Sequence, residues 1–256
     1  MNKNFIVTHR KYDWVRDRAD ARDFRYAVPA EHAAGKLPAH VDLRPLCPPV
    51  YDQGNLGACT GNALAGLFEF LQGARHAPTF VPSRLFIYYG ERAIERDVRL
   101  DNGASIRDGM TLLAKKGVCP ETSWPYDVAK FAVTPPSSAY GEAAHHKIGL
   151  YQRLNSPDVV ALKSSLAAGF PFVFGFTVYK AFESEAVAKT GIVPMPNPSD
   201  PILGGHAVMA VGYDDATHAL IVRNSWGPDW GQAGYFMMPY AYATSLSLAS
   251  DFWTAR

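Results

Sequence analysis

The part of the chain that follows residue 50 carries hydrophobic residues at helical spacing. From Cys59 onward apolar side chains recur every three or four positions, at Ala63, Leu64, Leu67, Phe68 and Leu71. The same spacing recurs from Arg84 to Arg96 and from Ser105 to Lys116, and Gly117 is a typical stop after the last run. The pattern therefore predicts three helices in this part of the chain.

A different period begins after Gly169. Hydrophobic residues then occupy every second position, a pattern typical of a β-strand, at Phe170, Phe172, Phe174, Phe176 and Val178. Residues 207–213 and 219–223 are two more apolar runs, and the turn-rich stretch between them predicts a hairpin. Residues 234–238 predict a further strand.

The region between these two patterns is less regular. Residues 129–151 contain Pro135-Pro136 and small polar side chains, which predict a crossing loop. Ser156 and Pro157 are the expected N-cap and first-turn proline of a short helix that ends at Ala168. Helices in the first half and antiparallel strands in the second predict an α+β fold, in which two subdomains meet along a cleft.

Composition narrows the classes of partner. The 256 residues carry a net charge of +1 and are 48% hydrophobic, which is enough apolar material for a core and gives no basis for binding nucleic acid. No window approaches the roughly 20 apolar residues of a membrane span. Residues 1–20 show no apolar stretch of signal-peptide length, so we expect a cytoplasmic protein, with secretion by another route left open.

Cys59 is the first candidate for chemistry. It stands where a glycine-rich turn, residues 53–58, meets the first predicted helix. The positive end of the helix dipole favours a thiolate there, and the glycines allow a substrate backbone to come close. By itself the position is more typical of a small buried hydrophobic residue.

A thiolate nucleophile needs a partner that holds and returns its proton, and this partner is usually histidine. His206 follows Gly204 and Gly205 at the start of a predicted strand, and Asn224 ends the next strand. If the hairpin forms, the two side chains become neighbours and the amide can orient the imidazole. An asparagine that simply ends a strand is the alternative.

Together these residues resemble the papain-like cysteine peptidases. The family signature around the nucleophile is similar to the run Leu56-Gly57-Ala58-Cys59-Thr60, and His206 follows the cysteine after 147 positions, within the family's usual spacing. Asn224 lies 18 positions further on, slightly beyond that range.

The resemblance extends over most of the chain and implies roles for more residues. Gln53 matches the glutamine that donates to the oxyanion, and Trp226 matches the tryptophan that covers the histidine–asparagine hydrogen bond. Gly103 and Ala104 stand at the place of the strip that binds the substrate backbone. The substrate-binding residues that we expect are Gly103, Ala104, Gly205 and Trp226.

Some positions depart from the family pattern. Leu56 replaces a cysteine that many relatives pair in a disulfide. Thr60 replaces an aromatic residue beside the nucleophile, and Gly205 replaces an aspartate before the histidine. Cys47 and Cys119 are either two reduced thiols or, as the run Val-Cys-Pro-Glu of bacterial members suggests, a different disulfide; both readings stay open.

The family resemblance implies a cysteine endopeptidase that cleaves a peptide or protein substrate through a Cys-His-Asn triad and a thioester. It implies no metal or other cofactor, and we expect a monomer that interacts with no membrane. Residues 41–256 would form the catalytic domain, helical over about 50–130 and an antiparallel, barrel-like β part over about 131–256. An amidase or transpeptidase and a non-catalytic peptide-binding module remain the alternatives.

Residues 1–40 form a predicted N-terminal arm, too short for the long inhibitory prosegment of many relatives. Its mixed charge suggests that residues 1–35 lie across the cleft and inhibit the protein. Packing against the body as an ordinary edge is the other reading.

Overall fold

A computed structural model describes residues 10–155 and 157–256. The predicted N-cap Ser156 therefore lies outside the described residues. The helices are α1 (Ala30–Ala33), α2 (Cys59–Ala74), α3 (Arg84–Glu95), α4 (Ile106–Lys115), α5 (Ser137–Ala143), α6 (Val159–Ala167), α7 (Glu185–Thr190) and α8 (Tyr240–Ala243). The strands are β1 (Trp14–Val15), β2 (His40–Asp42), β3 (Ala104–Ser105), β4 (Tyr151–Arg153), β5 (Phe172–Tyr179), β6 (Ile202–Asp214), β7 (Ala219–Arg223), β8 (Tyr235–Pro239) and β9 (Ala249–Ala255).

The three predicted helices are confirmed as α2, α3 and α4, and serine residues define two of their starts. The Ser83 hydroxyl accepts a hydrogen bond from the third residue of α3, and the Ser105 hydroxyl does the same for α4. Helix α3 ends at Glu95, and its C-cap Arg96 adopts a left-handed conformation with φ of +64°. The two serine caps fix where α3 and α4 begin.

The predicted strands form one large sheet in the order β4-β9-β5-β6-β7-β8, and β2 pairs with β6. Every pairing in this sheet is antiparallel, which confirms the α+β fold class. Among the described strands β4 and β8 stay at opposite ends of the path, so the sheet does not close into a barrel. The predicted hairpin is the pair β6–β7.

The irregular middle of the chain differs from the prediction in two places. The expected loop of residues 129–151 contains helix α5, which begins directly after the proline pair. Helix α6 begins at Val159, and its N-cap is Asp158, whose carboxylate accepts from the N–H groups of Val160 and Ala161 at 2.8 and 3.3 Å. Strand β6 also begins earlier than expected, so His206 lies inside it.

Two hydrophobic clusters lie on either side of the sheet. One joins α2, α3 and α4 to one face of β5, β6 and β9, and the other packs aromatic side chains against the opposite face. Cys47 and Cys119 are free thiols, so the disulfide alternative is wrong. In the described part of the chain no helix is both long and apolar enough to span a membrane.

Candidate active site

Cys59 is the first residue of α2 and its side chain is completely buried. The backbone N–H of Ala207, the residue after His206, donates to its sulfur, so α2 and β6 meet at this point. Burial raises the pKa of the Cys59 thiol to about 12, and any negative charge on Glu91 or Asp13 acts in the same direction. The thiol is therefore neutral in this state.

His206 projects from β6 toward the end of β7, where Asn224 follows the last strand residue. Its Nε2 lies 2.8 Å from Oδ1 of Asn224. The hairpin therefore brings together the two residues that the sequence predicted to be neighbours. Nδ1 of His206 is buried and has no hydrogen-bond partner among the described residues, so this nitrogen is available to a group in the cleft.

Burial also determines the charge of His206. The ring is fully enclosed, and this burial lowers its pKa to about 4, although the hydrogen bond with Asn224 acts in the opposite direction. The positive charge of Arg10 contributes to the lowering. His206 is thus a neutral imidazole at pH 7.

The backbone after Asn224 fixes the orientation of the pair. The N–H of Ser225 donates to Oδ1 of Asn224 at 2.9 Å, which places this oxygen, and not the amide nitrogen, toward the histidine. The indole of Trp226 is stacked on the His206 ring, with the centroids 5.0 Å apart and the planes 24° apart. Trp226 therefore contacts the histidine directly and helps to exclude water from it.

Gln53 lies in the turn before α2 and connects the two halves of the molecule. Its Oε1 accepts from the Ser225 hydroxyl at 2.5 Å, and its backbone N–H donates to the Ser225 carbonyl at 2.9 Å. The Nε2 group donates to the carbonyl of Leu56 at 3.1 Å. The amide is thus held from the β side and directs its N–H groups toward the turn that carries Cys59.

The remaining predicted residues, Gly103, Ala104 and Gly205, contact the N-terminal arm. Strand β1 of the arm pairs in parallel with β3, with Trp14 opposite Ala104. On the other side, the N–H of Gly205 donates to the carbonyl of Tyr12 at 3.1 Å. Arm backbone thus lies between the two strips that the resemblance assigns to substrate.

Two glycines create the space for this segment. A Cβ on Gly103, whose φ is +74°, would lie 1.5 Å from the carbonyl oxygen of Asp13. A Cβ on Gly175, in β5, would lie 1.9 Å from the indole of Trp14. The cleft therefore admits the backbone of one residue and the large ring of the next.

Side chains add contacts that the sequence analysis missed. The guanidinium of Arg10 lies 4.2 Å above the Trp226 ring, the Tyr12 hydroxyl donates to Glu183, and Lys11 pairs with Asp101. No local pattern marks Glu183 or Asp101. Gly175 carried a signal, because a glycine inside a strand often marks a close approach.

The described residues include no group of three or more histidine, cysteine, aspartate or glutamate side chains placed to hold a metal ion. Cys59, His206, Asn224 and Gln53 instead form one connected group around the N-terminus of α2. This group has a thiol, an imidazole and amide donors, which are the components of nucleophilic acyl transfer.

The sequence is similar to known proteins of one family. The family described as "papain family cysteine protease" matches residues 97–254. An uncharacterised peptidase C1-like protein of Acanthamoeba polyphaga mimivirus is 48% identical over 210 residues, which cover 79% of this chain and 68% of that protein. A cathepsin B-like protein of Giardia intestinalis is 30% identical over 237 residues, 83% of this chain and 73% of that protein.

Solved structures give the same result. Xylellain, a cysteine protease from Xylella fastidiosa, superposes with a TM-score of 0.91 at 42% identity, and the match covers 98% of each chain. A procathepsin B from Trypanosoma congolense has a TM-score of 0.74 at 17% identity, over 96% of this chain and 86% of that one, and shows the shared fold alone. The resemblance to the family, including its bacterial members, is confirmed: the chain belongs to the papain family of cysteine proteases.

Proposed function

We propose that the chain is an endopeptidase that uses Cys59 as nucleophile, His206 as acid and base, and Asn224 to orient the imidazole. The observation that carries this proposal is the 2.8 Å contact between Nε2 of His206 and Oδ1 of Asn224 beside the buried thiol. It holds the ring with Nδ1 directed away from Asn224, while the backbone of the next residue contacts the sulfur of Cys59. A histidine that only stabilised the fold would need no unpartnered nitrogen here.

The chemistry follows from these positions. The Cys59 thiolate attacks the carbonyl carbon of a peptide bond, and the negative oxygen that forms accepts hydrogen bonds from the Gln53 side chain and the Cys59 backbone N–H. The His206 imidazolium gives its proton to the departing amine. His206 then takes a proton from water, which attacks the thioester and releases the acid product.

The arm supports a self-inhibited resting state. We call residues 10–15 the latch. Its backbone occupies the hydrogen-bonding positions on Gly205 and beside Ala104 that an extended substrate would need, so latch and substrate exclude each other. While the latch is in place, Cys59 and His206 are buried and neutral, and the thiolate–imidazolium pair does not form.

The rest of the arm is anchored to the body. The Asp17 backbone N–H donates to Asp251 at 2.8 Å, and its carboxylate accepts from the Trp253 indole N–H at 2.8 Å. Asp23 pairs with Arg107 and Arg153 at 2.6 and 3.1 Å. Activation would therefore displace or cut the latch and leave residues 17–40 in place.

The latch also indicates the kind of substrate. It runs from Arg10 over Trp226 to Trp14 beside Ala104, which shows that the cleft accommodates an uninterrupted chain of at least this length. An internal segment of a peptide needs such a passage, and this supports an endopeptidase. The indole of Trp14 packs over Gly175. A substrate side chain that takes the place of this indole would therefore be bulky and apolar, which supports a preference for such a residue at that substrate position.

Covalent labelling tests the nucleophile. A peptidyl epoxide would be added to the full chain and to Cys59→Ala in reducing buffer, and intact mass would be recorded. The proposal predicts one adduct, lost in Cys59→Ala, although Cys47 and Cys119 remain. An adduct that persists in Cys59→Ala would overturn the assignment, and binding of a peptide without any cleavage would favour the binding module. Excess product with an added amine acceptor would favour a transpeptidase.

A further inference from the structure

A buried acid lies behind the nucleophile and has no part in the proposed reaction. Glu91, on α3, is completely inaccessible to solvent. Its Oε2 lies 2.7 Å from the hydroxyl of Thr60, the residue that directly follows Cys59. The acid therefore contacts the first turn of α2, the helix that begins with the nucleophile.

Helix α4 closes the other side of this acid. A Cβ on Gly109 would lie 2.4 Å from Oε1 of Glu91 and 2.1 Å from Leu64, so glycine is required for α4 to come this near. Oε1 has no hydrogen-bond partner within the described part of the chain. Thr60 thus supplies the one hydrogen bond that is found for this carboxyl group.

The charged groups around Glu91 do not neutralise it. Glu95 on α3 and Asp108 on α4 add negative charge, while Cys59 is the titratable group on α2. Arg92 is the nearby cation, and its guanidinium donates to four backbone carbonyl groups, those of Tyr88, Val98, Leu100 and Phe131. Burial is the main cause that raises the pKa of Glu91 well above its ordinary value.

A neutral acid fits this site better than a carboxylate. An ionised carboxylate presents two charged oxygens that each need several donors, whereas in the neutral acid Oε2 accepts from the Thr60 hydroxyl and Oε1 carries the proton, so no charge is left unpaired. A carboxylate here would also oppose the thiolate, because the charge of Glu91 raises the pKa of Cys59.

We infer that Glu91 is a positioning residue, a neutral acid that holds Thr60 and the first turn of α2 beneath the nucleophile without placing a negative charge beside the thiolate. This inference rests on the proposed role of Cys59. It also explains the departure at Thr60: the space beside the nucleophile, where the resemblance implied an aromatic residue, is filled by a threonine and an acid from α3.

Infrared spectroscopy of the full chain tests the protonation state directly. The difference spectrum between the wild-type chain and Glu91→Gln at pH 8 is expected to show the carbonyl band of one protonated carboxylic acid. If the difference spectrum instead shows the bands of a carboxylate, Glu91 is ionised and the inference is wrong. This measurement needs no turnover, so its outcome is independent of the proposed peptidase activity.

The pH dependence of kcat/KM gives the second measurement. Glutamine has the size of the neutral acid, so Glu91→Gln is expected to leave the acid limb of the profile within about 0.3 pH unit. If Glu91 were instead charged in the wild-type chain, its replacement by glutamine would lower the pKa of the acid limb by about one pH unit or more. A shift of that size in Glu91→Gln would overturn the inference.

Two variants of Thr60 complete the test. Thr60→Val removes the hydroxyl and is expected to shift the acid's carbonyl band to higher frequency and to lower kcat/KM about tenfold. Thr60→Ser keeps the hydroxyl and should restore both the band and the rate. If Thr60→Val leaves the band unmoved, the hydrogen bond to Glu91 is not what positions this turn.

Discussion

The carbonyl oxygen of Asp13 lies 1.5 Å from the point at which a Cβ on Gly103 would stand. Gly103 has a φ of +74°, so both its conformation and the space beside it suit glycine. The strip that the family resemblance assigns to substrate is therefore filled by backbone of the same chain. If the proposed self-inhibition is right, the latch and an extended substrate compete for this place, and several measurements test that competition.

Weakening the latch should raise activity. Trp14→Ala in the full chain removes the ring that packs over Gly175, and a half-buried tryptophan contributes about 2 kcal/mol, so we expect kcat/KM for a small peptide to rise about thirtyfold. Phe24→Ala is the matched control, because Phe24 is an exposed aromatic residue of the same arm. Equal activity of wild-type chain and Trp14→Ala would refute the inhibitory role of the latch.

The space over Gly175 that the Trp14 indole occupies should also determine which substrates are preferred. Gly175→Ala places a methyl group where the indole lies, and overpacking of this kind costs roughly 1–3 kcal/mol. We expect the ratio of kcat/KM for substrates with phenylalanine and with alanine at this position to fall about tenfold. Gly73→Ala, whose added methyl group meets no atom within 4 Å, is the control. An unchanged ratio would show that the substrate side chain binds elsewhere.

The anchored part of the arm should behave as part of the body. Removing residues 1–15 should leave a stable and more active chain. Removing residues 1–35 takes Asp23 away from Arg107 and Arg153 and the backbone N–H of Asp17 away from Asp251, and loss of one partner of a buried ion pair typically costs about 3–5 kcal/mol. Chemical denaturation would compare the two. Similar free energies of unfolding would contradict the anchor.

His206 should titrate abnormally while the latch is closed. Its pKa is lowered to about 4 by burial, and an unfolded histidine has a pKa near 6.5. The unfolded chain therefore binds the proton first, and the folded chain loses stability as pH falls from about 6.5 to about 4, by at most roughly 3 kcal/mol. NMR of the histidine ring would check this value. Titration of His206 near 6.5 in the full chain would contradict a closed latch.

The amide of Gln53 should act in the chemical step. Gln53→Ala in the Trp14→Ala background should lower kcat by about 10²–10³ and leave KM nearly unchanged, as expected for a group that binds the developing oxyanion. Ser225→Ala removes the hydroxyl that holds Oε1 and should give a smaller fall, about tenfold. A rise in KM alone would mean that Gln53 only binds the ground state.

The sequence predicted the helices and strands that are specified by residues close together in the chain. The three-and-four spacing predicted α2, α3 and α4, the period of two predicted β5, and the turn between β6 and β7 placed His206 near Asn224. Helix α5 was missed because two prolines suggested a loop, although proline is well suited to the start of a helix. The N-cap of α6 was misplaced because serine and aspartate serve that role equally well.

What the sequence did not reveal depends on residues far apart in the chain. Strand β9 contains the buried Asp251, an unlikely strand residue until Arg153 and the backbone of Asp17 are seen to bind it. Glu183 lies 171 positions beyond Tyr12, its hydrogen-bond partner, and the sequence did not distinguish a path of the arm through the cleft from one along the edge of the body. In the structure residues 10–15 lie in the cleft and the following residues of the arm pack on the body, while inhibition by the arm stays a prediction.

The most direct test of the account is hydrolysis of a fluorogenic dipeptide, with a bulky apolar residue before arginine, in reducing buffer. The variants are the wild-type chain, Trp14→Ala, and Trp14→Ala combined with Cys59→Ala. We predict low activity in the first, high activity in the second and none in the third. Activity that survives Cys59→Ala, or no activity in Trp14→Ala, would contradict the account of a latched cysteine peptidase.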